Sequence, residues 1–113
     1  MGSFEKYTNL FETIKNDAVA HAVEQSEACW RKFPSKRKSE YNNCCKQAAH
    51  VYHVFCDGKR RLKSKLKLEK LKCEDLNNPT ELKNCKLGVY ESALKDLYSL
   101  QRKINREKNN LLS

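Results

Sequence analysis

Near the start of the chain apolar residues recur at Phe4, Tyr7, Phe11, Ile14 and Ala18, in steps of 3, 4, 3 and 4. That spacing keeps them on one side of an α-helix, so residues 4–33 are expected to form a first helix. The seam weakens through His21 and Gln25, and a second stripe of Val19, Val23 and Trp30 takes over. Ser3 is a candidate N-cap. Pro34 is the expected stop, because the residue before a proline is disfavoured in the helical region.

The next apolar set is Tyr41, Cys45, Ala48, Tyr52 and Phe55, in steps of 4, 3, 4 and 3, flanked by Cys44, Val51 and Cys56. So wide an apolar face predicts the most buried element, starting at Ser39 as N-cap. Asp57-Gly58 is a turn signal within this run. Either the chain folds back there or one helix continues, straight or kinked, over 40–72; the continuous form is favoured. Residues 73–78 read as a loop. Asn78, Pro79 and Glu81 then supply a cap, a first-turn proline and the glutamate of a capping box. The seam that follows is Leu82, Cys85, Val89, Ala93, Leu97, Leu100, Ile104 and Leu111. A last helix over 79–110 is the result, and its final turns are expected to fray or meet a partner. The fold class is therefore all-α: one helical domain over 1–113, three to four helices, an extended central helix and partly disordered termini.

Charge changes the picture at Gly58–Lys72. This stretch carries Lys59, Arg60, Arg61, Lys63, Lys65, Lys67, Lys70 and Lys72 against one acid, Glu69, in a chain of net charge +9. Leu62 and Leu66 fall together on a helical wheel, with Leu68 and Leu71 almost opposite. Local Lys-Leu alternation fits a strand as well, but Lys, Leu and Glu are helix formers and β-branched residues are scarce. The eight basic side chains are the candidate binding patch. They suit an acidic partner: nucleic acid, anionic lipid or an acidic protein assembly such as tubulin with its acidic tails. They also suit docking on the acidic residues elsewhere in the chain, or plain solubility. Lys36-Arg37-Lys38 is similar to a short nuclear-import signal.

Candidate chemistry is thin. There is no phosphate-binding glycine loop, no GxSxG and no HExxH, so no catalytic residues, cofactor or small-molecule substrate are expected. His50, His53 and Asp57 fall on the polar side of their helix while Cys45 and Cys56 lie near its apolar face, so no metal site is expected. Trp30-Arg31-Lys32-Phe33 interleaves aromatic and basic residues as single-strand binders do. The aromatics are more simply read as capping the core. The six cysteines (Cys29, Cys44, Cys45, Cys56, Cys73 and Cys85) sit among apolar positions and are expected to be reduced core residues. No apolar run is long enough to span a membrane. The start of the chain has no secretory layout, and Asn78-Pro79-Thr80 is not a usable glycosylation sequon. An intracellular setting is the expectation, cytoplasmic and cytoskeletal, with the nucleus as alternative.

Two resemblances add expectations. Cys44-x11-Cys56 and Cys73-x11-Cys85 resemble the twin Cys-x(n)-Cys pattern of small mitochondrial intermembrane-space proteins. That family keeps each pair on one unbroken helix, and Asn77-Asn78-Pro79 interrupts the second pair here. The resemblance implies antiparallel helices held by a double disulfide staple in an assembly factor. In length, and in an extended central helix with less certain ends, the chain also resembles the Goddard family, small testis proteins of fruit flies. That likeness implies a structural role at axonemal microtubules during sperm maturation, and no catalytic residues.

Overall fold

The computed structural model describes residues 2–33 and 38–112. These residues form four helices: α1 (Ser3–Lys32), α2 (Lys38–Ala48), α3 (His50–Cys73) and α4 (Pro79–Leu112). No strand occurs among them. The Pro34 stop and Lys36-Arg37 lie outside the described residues, as do the side chains of Lys38 and Leu111.

The helices pack as an up-down-up bundle measuring 65 × 23 × 18 Å. Phe11 meets Phe55, and Trp30 meets Tyr41. The first helix therefore runs antiparallel to α2 and α3. Lys65 bonds Asp96 while His50 bonds Glu107, so α4 is also antiparallel to α3. Tyr7 against Tyr90 and Asp17 against Lys108 make α1 and α4 parallel.

The core is the predicted seam made continuous. Tyr7, Ile14 and Ala18 of α1 meet Val51 and Phe55 of α3 and Ala93, Leu97, Leu100 and Ile104 of α4, all buried. Leu62 and Leu66 pack against this cluster, whereas Leu68 is 61% and Leu71 48% exposed. Leucine thus faces both ways on α3, and only one of its two rows finds a neighbour. His21 is buried beside the seam, and its Nε2 has no hydrogen-bond partner among the described residues.

The favoured continuity through Asp57-Gly58 holds, since α3 runs on across it. Other local expectations are corrected, and an unforeseen interruption falls at Ala49. Ala49 keeps helical dihedrals (φ −81°, ψ −10°), and both Ala49 and His53 continue the i to i−4 hydrogen bonding. The break between α2 and α3 is a single residue. Gly58 is needed for a different reason than a turn: a Cβ there would stand 2.5 Å from Cδ1 of Leu100. Glycine lets α4 approach α3. Gly2, not Ser3, is the N-cap of α1, and Ser39 lies inside α2. Asn78 does cap α4, its Oδ1 accepting from the amides of Thr80 at 2.8 Å and Glu81 at 3.3 Å. The final turns of α4 do not fray at Glu107 and Lys108, which are half-buried and tied to His50 and Asp17.

The cysteine expectation is overturned. Cys29 bonds Cys44 and Cys73 bonds Cys85, each pair with Cα atoms 5.7 Å apart, and Cys45 and Cys56 remain free. The pairing is not the double staple that the twin-cysteine resemblance implies. One bridge lies within the second Cys-x11-Cys unit, and the other uses Cys29, outside both. The reason is topological. Cys29 lies one turn before the end of α1 and Cys44 in the second turn of α2, so antiparallel packing of the two helices brings them together. Cys73 ends α3 and Cys85 lies in the second turn of α4, and the fold-back between those helices joins them in the same way. Trp30 is corrected as well: it is 58% exposed and touches Tyr41 edge-on at 6.0 Å, outside the core.

Candidate docking surface

At 100° per residue the eight basic residues spread over about 240° of α3, so one helix cannot present them all to one partner. The structure sorts them by what each meets. Lys65 points toward α4 and donates to Oδ2 of Asp96 at 2.9 Å. That hydrogen bond, reinforced by the carboxylate's charge, raises the Lys65 pKa above its ordinary 10.5. Lys63 and Lys70 turn to the opposite flank. Their ammonium groups lie 5.6 Å from the Phe11 ring centre and 4.9 Å from that of Tyr90, within cation–π range. Arg60 pairs with Asp57 and Lys72 with Glu69, both one turn away on the same helix. These last pairs are exposed and cost little to open.

Lys59, Arg61 and Lys67 remain. No acid lies within ion-pairing distance of any of them among the described residues, and Arg61 and Lys67 are exposed. Arg61 and Lys67, with Leu68 and Leu71, occupy the side of α3 turned away from α1 and α4, while Lys59 is half-buried beside the core row of Leu62 and Leu66. Leu71 forms a ridge between two open hollows. One, of about 570 Å³, is lined by Lys65, Leu68, Glu69, Leu71, Lys72 and Asp75. The other, of about 320 Å³, is lined by Lys63, Leu66, Lys67, Lys70, Leu71 and Glu74. The predicted patch is therefore a ridge with lysine-lined flanks, partly neutralised from within. The intramolecular acids Asp57, Glu69 and Asp96 hold three of its eight cations.

Sequence reasoning missed the two bridged cysteine pairs. Each pair flanks one predicted connection, a placement that the spacing within the Cys-x11-Cys units obscured. His50, set aside as a metal ligand, instead joins α3 to α4 through Glu107 at 2.9 Å.

No described helix is long and apolar enough to cross a membrane. No family model, no curated protein and no solved structure matches the chain.

Proposed function

We propose that this protein is a non-enzymatic, basic helical interaction protein that docks on an acidic assembly through the outward side of α3. The observation that supports it is the set of exposed cations, Arg61 and Lys67, that lack an intramolecular acid and stand beside two exposed leucines. Cations satisfied within the bundle add little to binding, whereas these need only shed water and counterions. Axonemal microtubules are the assembly that the Goddard-family likeness points to, with a structural role during sperm maturation. Nucleic acid or chromatin is the alternative partner for the same cations.

The test is co-sedimentation with polymerised tubulin and, separately, retention on double-stranded DNA, each at low and moderate salt. Arg61→Gln with Lys67→Gln is expected to weaken binding to the true partner and to flatten its salt dependence. The helical circular-dichroism signal should stay unchanged. Binding that ignores both salt and these substitutions would refute the reading.

The two disulfides favour a second reading. Disulfides are rare in the cytosol, and this chain closes two, Cys29–Cys44 and Cys73–Cys85. A disulfide-stapled assembly factor of an oxidising compartment such as the mitochondrial intermembrane space fits that chemistry. Counting thiols in protein rapidly trapped from its native tissue separates the two settings: two free thiols, or none where Cys45 and Cys56 are bridged as well, support the oxidising compartment, and six support the cytoskeletal one.

A further inference from the structure

Four of the six cysteines pair within the chain, and the two left over share one side of the molecule. At 100° per residue, Tyr41, Cys45, Tyr52 and Cys56 fall within an arc of about 60° along α2 and α3. The break at Ala49 preserves helical dihedrals, so the arc runs on across it. Val19, Val23 and Trp30 occupy a similarly narrow arc on α1. The edge contact of Trp30 with Tyr41 joins the two arcs into one face. Helix α4 lies elsewhere: it meets α3 at His50, Gly58 and Lys65. On this uncovered face Val19, Val23, Trp30 and Tyr52 are all exposed, and Cys45 and Cys56 are half-buried.

The two thiols cannot reach each other. Eleven residues of helix separate them by about 16 Å, and a disulfide needs Cα atoms within about 7 Å. Thiols left over in a chain that otherwise pairs its cysteines point outside the molecule. The spacing also selects the partner. A second copy laid antiparallel across this face, with the two-fold axis at the level of Ala49 to Val51, puts Cys45 opposite Cys56 twice over. Such an interface is self-complementary, as two-fold contacts are. It also removes the exposed valine and aromatic surface from water.

We propose that this face is the interface of an antiparallel homodimer, closed by two reciprocal Cys45–Cys56 disulfides. Each bridge forms by two exchanges with a small-molecule disulfide such as glutathione disulfide. The Cys45 thiolate attacks one glutathione sulfur and displaces a glutathione thiolate. The thiolate of Cys56 on the second copy then attacks Cys45 Sγ and displaces the other. Per bridge, two protein thiols are oxidised and one glutathione disulfide is reduced to two thiols, which take up the two protons.

The proposal stands apart from the basic surface of α3 and is tested without it. The full chain, with both internal bridges formed, is incubated with glutathione disulfide and run on a non-reducing gel. Peptide mass mapping of the dimer should find Cys45 joined to Cys56. Wild type that stays monomeric, or a dimer joined Cys45 to Cys45, would overturn the assignment. Next, Cys45→Ala and Cys56→Ala are each treated alone and then mixed, one of them labelled with nitrogen-15. Each alone should remain monomeric, because its one remaining thiol faces an alanine. The mixture should yield a dimer of intermediate mass, held by one bridge. Dimers from either variant alone, or none from the mixture, defeat the antiparallel register.

Discussion

Reducing the two disulfides should remove a large share of the protein's stability, and the size follows from the loops they close. Cys29–Cys44 spans a sequence separation of 15 and Cys73–Cys85 one of 12. Confining loops of that length in the unfolded chain costs it entropy worth about 3 kcal/mol each at 25 °C. The loops do not overlap, so their contributions add to about 6 kcal/mol, comparable with the whole stability of a typical domain, about 5–15 kcal/mol. The assay is urea unfolding followed by far-UV circular dichroism, with and without a reductant. At a slope of about 1.5 kcal/mol per molar urea, each bridge lost should lower the midpoint by about 2 M. Comparing oxidised with reduced wild type is cleaner than substitution, because the sulfur atoms stay in place. Cys73 is fully buried, so Cys73→Ala with Cys85→Ala should cost more than reduction alone by the packing it forfeits. A midpoint unmoved by reduction would refute the reasoning, since it would mean that the bridges do not constrain the unfolded chain.

Other expectations follow from the packing. Leu97 is fully buried at the centre of the bundle, so Leu97→Ala should cost about 2–5 kcal/mol in the same urea assay. The two helical glycines should behave oppositely. Gly88 has open space around it, and Gly88→Ala should stabilise by about 1 kcal/mol; Gly58→Ala should forfeit that gain, because its Cβ collides with Leu100. The Tyr7 phenol has its pKa raised above 10.0, first by burial and then by Tyr90. The unfolded chain therefore ionises first, so stability holds below about pH 10 and falls as pH rises through the folded value. Tyr7→Phe should reduce that alkaline loss when urea midpoints are compared across the range.

The all-helical fold, its three long helical stretches and most of the core were legible in the residues themselves. Ile14, Ala18, Phe55, Ala93, Leu97, Leu100 and Ile104 were placed by periodicity, because a three-and-four spacing fits only one face of a helix. The Asn78 cap and the Pro79 start were legible for a similar reason, since caps are local chemistry. What spacing alone misjudged were events between helices. Asp57-Gly58 left open whether the chain turns or continues, with continuation favoured, and α3 does continue there. What spacing did not foresee was Gly58 as a seat for Leu100, or the interruption at Ala49. The bridged cysteines depended on which helices lie side by side, which no single-helix pattern records. The basic stretch looked like one surface because its charges are adjacent in sequence. Helical geometry then turned Lys65 to Asp96 and Lys63 and Lys70 to aromatic rings, leaving fewer cations for a partner.

Residue order by itself determined that the chain coils into helices, where α4 begins, and most of the side of α1 and α4 that avoids water, because these follow from neighbours within a turn or two. Only tertiary packing decided which cysteines meet, which lysines stay unpaired and which apolar side remains uncovered. Those outcomes depend on contacts between residues as far apart as Asp17 and Lys108, and a local pattern carries no information about distance in space.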